Sequence, residues 1–132
     1  MIIHSAIRKF TLNALEEKIP EVVYFDGRPA VLDVEELPAI AVYLTDILKN
    51  ENYLDGEQWG AVLHVELFLK AQTPDSIFDE WMEKYIYPIM KNIPALEGLI
   101  ESFTPIGYEY RRDEELATWG SSDLMYSITY LK

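Results

Sequence analysis

Gly107-Tyr108-Glu109-Tyr110-Arg111-Arg112-Asp113-Glu114-Glu115, followed by Trp119-Gly120-Ser121-Ser122-Asp123-Leu124 and on through Tyr130, decides the fold class. Side chains alternate across a strand, so Ile106, Tyr108 and Tyr110 point one way. Leu124, Tyr126, Ile128 and Tyr130 do the same on a second run, while Ser127 and Thr129 point oppositely. The pattern predicts two antiparallel strands joined by an acidic loop. Cross-strand aromatic and β-branched pairs would add roughly 0.2–1 kcal/mol each.

Upstream, Trp59 to Leu69 reads as the longest strand. Trp59, Ala61, Leu63, Val65, Leu67 and Leu69 form an unbroken apolar face, whereas Val62, His64, Glu66, Phe68 and Lys70 give a mixed one. Ala39 to Leu44 is another strand, with Ile40, Val42 and Leu44 on one face. Val22 to Phe25 is short and β-prone, and Asp26-Gly27 then supplies a turn. Residues 26–37 are expected to form that turn and an extended arm. Residues 46–58, with the polar run Asn50 to Gly56, are expected to form a flexible loop.

Ile3, Ala6, Ile7, Phe10, Ala14 and Leu15 recur at helical spacing and predict a helix over residues 3–18, closed by Pro20. Thr73-Pro74-Asp75 is a helix start: threonine caps, proline fits the first position, and a carboxylate meets the positive helix end. Ile77, Phe78, Trp81, Met82, Tyr85, Ile86 and Ile89 form its buried stripe. Glu80 and Lys84 pair on the other side. Pro88 is expected to kink or end this helix, because its ring opposes the Lys84 carbonyl. A short helix follows over residues 94–101. The expected architecture is α+β: one domain over 1–132, with a mainly antiparallel four-stranded sheet and helices packed on one side.

Composition narrows the function classes. There is no cysteine, which removes thiol nucleophiles, disulfides and all-cysteine zinc sites. Formal charge is −12, from 23 acidic and 11 basic side chains, which repels phosphate backbones and argues against sequence-specific DNA binding. No apolar run reaches bilayer-spanning length, so a soluble protein made in the cytoplasm is expected, without membrane partners. His4 and His64 lie in no metal or hydrolase pattern, and Ser76 lacks a nucleophile-elbow motif. His64 and Glu66 share a strand face, yet no nucleophile or metal accompanies them in the sequence. The expectation is no catalytic residue, no cofactor site and no assigned metal ligand.

Phe25-Asp26-Gly27-Arg28-Pro29-Ala30-Val31, Pro38 through Thr45, Pro74-Asp75-Ser76 through Glu83, Ile86-Tyr87-Pro88-Ile89-Met90, Ile93-Pro94-Ala95-Leu96 and the 107–130 hairpin follow one another along the chain. In that order they resemble the tail terminator family (minor tail protein U) of lambda-like long-tailed phages. The specificity lies in the ordered set rather than in any single piece. Departures concentrate in the first helix, the 46–58 loop and the C-terminal end. The resemblance implies a structural protein, not an enzyme. It implies a hexameric ring that caps the tail tube, stops its polymerisation and forms part of the head–tail joining interface. Implied partners are other copies of the chain, the major tail tube protein and a head-completion or connector protein, with DNA passing through the lumen without specific binding. The implied place is the head-proximal end of the virion tail, after assembly in the host cytoplasm. Magnesium is implied to favour the hexamer.

The resemblance carries over no interface residues, so these are chosen by chemistry. Arg28 follows a tight turn and precedes Pro29, which stiffens its presentation; it suits a carboxylate across a subunit boundary or within the chain. Arg111 and Arg112 sit on opposite strand faces and suit a neighbour's acidic edge or the local Asp113, Glu114 and Glu115. Trp119 follows a charged loop and can anchor a contact at a rim. Tyr53 and Leu54 are apolar residues in a polar loop and suit folding onto a neighbour. Asp113-Glu114-Glu115 is the one oxygen-rich run with magnesium character, although screening between acidic subunits needs no dedicated cage. The alternative reading is an acidic soluble adaptor or inhibitor that binds a basic protein.

Overall fold

The computed structural model describes residues 1–54 and 56–132; residue 55, inside the loop expected at 46–58, lies outside them. The sheet is built around β3 (Gln58–Lys70), thirteen residues long. β3 pairs antiparallel with β2 (Ala39–Lys49) on one side and β5 (Trp119–Leu131) on the other. β4 (Ser102–Arg112) lies outside β5, again antiparallel. The expected four-stranded antiparallel sheet is corrected here. Residues read only as β-prone supply a fifth strand, β1 (Val23–Asp26), which pairs parallel to β2. Parallel neighbours need a crossover, and the run from Gly27 to Pro38 provides it, with a 3-10 turn over Val34–Glu36. The order is β1-β2-β3-β5-β4.

β2 runs further than its sequence suggests. A bulge between Thr45 and Leu48, with Asp46 at φ 54°, restores pairing as far as Lys49 opposite Trp59. The 46–58 segment is therefore partly strand, and the connection is confined to residues 50–57.

One sheet face carries the main core. Ile40, Val42, Leu63, Val65, Leu67, Tyr126, Ile128 and Tyr130 pack there against Ile7, Leu15, Phe78, Ile86 and Met90 from the helices. Full burial of each large side chain stabilises the fold by roughly 1.5–3 kcal/mol. α1 (Ile2–Lys18) contributes Ile7 and Leu15 as its apolar stripe predicts. α2 (Asp75–Trp81) starts one residue later than its cap pattern implies, with Pro74 at the cap. The break at Pro88 takes the form of a π turn over Met82–Ile86, directly before α3 (Tyr87–Met90), where Pro88 is the second residue. Proline offers no N–H to the Lys84 carbonyl, and the wider turn absorbs the mismatch. α4 (Pro94–Glu97) is shorter than the expected 94–101 helix. The Glu80–Lys84 pair forms at 2.7 Å.

α1 is also tied to β5 by a buried polar contact. His4 Nε2 lies 2.6 Å from the Tyr130 hydroxyl, and both residues are buried. Burial, then the positive N-terminus, then Arg8 hold the imidazole pKa below its usual value. The depressed folded-state value means the unfolded chain binds the proton more readily. This contribution to stability is complete above the ordinary histidine pKa and declines as pH falls towards the folded-state value. Urea unfolding of wild type against His4→Gln from pH 7.5 to 5 is expected to show a steeper acid loss for wild type.

Candidate functional site

The opposite sheet face carries a buried network of charge. Even-numbered residues of β3 face odd-numbered residues of β5 there, which sets Glu66 directly opposite Asp123. Both carboxylates are fully buried. Like charges in that position repel, so the arrangement requires cations.

Two arginines supply them. Gly27, at φ 103°, makes the turn that ends β1, and Arg28 leaves it towards Glu66. Arg28 Nε donates to Glu66 Oε1 at 2.9 Å and Nη2 donates to Oε2 at 3.4 Å. Its guanidinium lies 5.7 Å from the Phe68 ring centre and 5.4 Å from that of Trp119, within cation–π range. Arg111 enters from β4. Its Nη1 donates to Asp123 Oδ2 at 2.8 Å and reaches Glu66 Oε2 at 3.5 Å, while Nη2 donates to Glu109 at 2.5 Å. Burial pulls both guanidinium pKa values down; the hydrogen bonds and charges of Glu66 and Asp123 outweigh it and hold them above the usual value.

Tyrosine, serine and histidine side chains complete the cluster. The Tyr43 and Ser121 hydroxyls donate to the two oxygens of Glu66, at 2.7 and 2.6 Å. Burial first, then the Glu66 charge, raises the Tyr43 pKa, so the phenol stays protonated and donating. His64 joins the cluster through Nδ1, 2.7 Å from Asp123 Oδ2, and through Nε2, 2.6 Å from the Thr45 hydroxyl. Tyr43 stacks flat on that imidazole at 4.4 Å between ring centres.

Thr45, His64 and Asp123 thus follow the order of a hydroxyl–imidazole–carboxylate relay. Their setting is structural. Thr45 lies within β2 and bonds Asp46 as well, whereas a nucleophile is presented on a sharp strand-to-helix turn. Arg111 occupies the carboxylate that would otherwise serve the imidazole alone. Among the described residues, no group of three or more His, Asp or Glu side chains is arranged to hold a metal ion.

The structure brings Arg28, Arg111 and Trp119 together around this network. Trp119 meets Phe68 edge-on at 5.1 Å. Arg112 points elsewhere, donating to the carbonyls of Ala71 and Thr73 at 3.2 and 2.9 Å and to the Asp75 carboxylate. It crosses the space where Gly120 lacks a side chain; a Cβ there would collide with the Arg112 guanidinium unless that side chain moved. Tyr53 and Leu54 lie on the β2–β3 connection, apart from the network, with Leu54 93% exposed. The Asp113 carboxylate accepts N–H bonds from Thr118, Leu116 and Glu115, which hold its pKa below the usual value. It caps its own loop.

Asp123, Tyr43 and Ser121 were not among the residues singled out from sequence, and Glu66 was weighed there only beside His64 as a catalytic pair, not as the anchor of an ion network. The available signal was Glu66 itself: a carboxylate between Val65 and Leu67 in the most apolar strand demands a partner.

The network staples a sheet face of an α+β fold, and the comparisons with known proteins give the chain its family. The family described as phage minor tail protein U matches residues 2–130. A tail tube terminator protein of Escherichia phage N15 is 51% identical over 128 residues, covering 96% of this chain and 97% of that one. A tail tube terminator protein of Escherichia phage lambda is 50% identical over 127 residues, with coverage of 96% and 97%. A chain from the virion of a native gene transfer agent particle shares the fold at a TM-score of 0.55 and 11% identity, covering 98% of both chains. The chain belongs to the phage minor tail protein U family. It is a structural protein of the viral tail and not an enzyme, as the sequence resemblance implied. Among the described residues, no helix is long and apolar enough to cross a membrane.

Proposed function

We propose that this chain terminates the tail tube. Hexameric rings dock on the last tube ring at the head-proximal end, and their far face offers no surface that recruits another tube subunit. That far face then forms part of the joint with a head-completion or connector protein. The observation that supports this reading most is half-identity to tube terminators along 96% of the chain. A ring needs two different surfaces per subunit that complement each other head to tail. The −12 charge suits a lumen through which DNA slides without adhering. The same charge resists assembly, so magnesium promotes the hexamer by screening rather than by filling a cage.

Electron microscopy of purified tail tubes mixed with the protein tests the proposal. Rings at one end of each tube, together with arrested addition of tube protein, are the expected result. A monomer that ignores tubes but captures basic proteins at low salt would favour the acidic adaptor instead.

A further inference from the structure

We infer that the ring closes by strand addition: the outer edge of β4, over Gly107–Arg112, pairs antiparallel with the free outer edge of β2, over Leu44–Lys49, in a second copy of this chain. The inference rests on the ring reading above and specifies which surfaces make the ring.

The sheet has one open edge on each side, and neither is open along its whole length. On one side, β1 covers β2 only as far as Val42, whose carbonyl accepts the Gly27 N–H. Main-chain groups alternate in direction, so Leu44 is the next to point outward, and no strand lies beside it. Asn50 donates its N–H inward to Gln58, which turns the groups of Lys49 outward. On the other side, β4 is outermost along its full length. Its first half is blunted by Pro105 and by a bulge between Pro105 and Gly107, devices that discourage edge pairing. Its second half has neither; the β2 run carries its own bulge between Thr45 and Leu48, so pairing there rests on the outward groups of Leu44 and Lys49 that flank it. Asp113 donates its N–H to Trp119 on β5, so Arg112, Tyr110 and Tyr108 turn their main-chain groups away from the sheet.

The two runs are complementary. β4 is antiparallel to β2 within the sheet, so a rotational repeat that keeps the strands aligned sets them antiparallel across the joint. Asp46 precedes Lys49 by three residues, and Glu109 precedes Arg112 by the same spacing. Antiparallel placement brings Lys49 to the Glu109 end and Asp46 to the Arg112 end; Lys49, Glu109 and Arg112 meet Glu57, Arg111 and Asp75 within the chain, so pairing across the joint shares or exchanges those exposed contacts. The two runs together carry no net negative charge on a chain at −12 overall, so they are where copies can approach. Pairing would also cover Leu48 and Tyr110, now 71% and 43% exposed. Because the runs lie on opposite sides of one sheet, each copy accepts one neighbour and offers its other edge to the next.

Wild-type protein is first scored for rings on tail tubes; no wild-type rings would remove the ring reading itself. Where wild type forms rings, Tyr110→Pro deletes one outward N–H, a substitution that an edge strand tolerates. It is expected to remain folded by circular dichroism and to form rings at a yield roughly tenfold or more below Tyr110→Phe, which keeps the N–H. Equal yields from a folded Tyr110→Pro would overturn the strand-addition model and leave the ring reading standing. Should Tyr110→Pro not fold, charge exchange decides. Lys49→Glu and Glu109→Lys are each expected to lower ring yield, and the chain carrying both to recover it; a double variant no better than its weaker parent overturns the inference.

Discussion

Replacing Arg111 with alanine is expected to destabilise the protein by about 3 kcal/mol, the lower end of what removing one partner of a buried ion pair costs. The lower end applies because the arginine side chain is 33% exposed, while both carboxylates it serves are fully buried. Its loss leaves Asp123 facing Glu66 with only Arg28 and the neutral donors to balance them. For a domain of this size the melting temperature should fall by roughly 10 °C. Arg111→Met combined with Asp123→Asn removes both charges and is expected to recover part of the loss, because an uncharged pair is not left buried without compensation. Thermal unfolding of the two variants beside wild type measures this. A melting point for Arg111→Ala within a degree or two of wild type would show that the network does not stabilise the fold.

The second large effect is expected at Phe78, which is fully buried beneath the helix side of the sheet. Phe78→Ala should cost about 3–5 kcal/mol through lost burial and the cavity it leaves. The consequence reaches the β4 edge. Asp79, the next residue of α2, accepts the Tyr108 hydroxyl at 2.9 Å and the Tyr110 hydroxyl at 2.5 Å. Arg112 also lies 5.4 Å from the Phe78 ring centre while it bonds Asp75. Loosening α2 therefore frees both tyrosines and Arg112. Amide hydrogen exchange should show increased opening of residues 108–112 in Phe78→Ala, beyond any change in β3. Phe78→Leu retains most of the apolar volume and should lose less than half as much. A β4 exchange pattern matching wild type would separate the edge from α2.

Much of this fold was legible because local patterning and tertiary burial agree. The stripe Ile7 and Leu15 fixed α1, and the apolar odd positions of β3 fixed its buried face. The C-terminal hairpin was equally plain in the alternation of Tyr108 and Tyr110 against Leu124 to Tyr130. β1 was less legible as a sheet member, because four residues carry little periodicity and their pairing depends on a crossover. The start of β5 was read as strand, but its burial was hidden for a different reason. Gly120-Ser121-Ser122-Asp123 has the composition of a loop, yet Ser121, Ser122 and Asp123 are fully buried in a strand. Ser121 and Asp123 are held there by their contacts with Glu66, Arg111 and His64, which hydropathy does not register. Arg28 and Arg111 stood out from sequence, but Glu66 lies 38 residues from one and 45 from the other, so their shared carboxylate could be found only in three dimensions.

The placement of β5 between β3 and β4 also shapes how the chain acquires its structure. β2 and β3 can zip through a short connection, but β3 must wait for β5 to arrive from beyond four helical segments before Glu66 meets Ser121 and Arg111. Closing so long a loop is slow, which predicts a folding rate set by topology rather than by helix formation. Until that closure a nascent chain holds an uncovered carboxylate in its central hairpin, and β4 has no sheet to border. On the ring reading proposed above, a half-made chain therefore offers its neighbours no finished edge, and the ability to assemble comes only with the completed monomer.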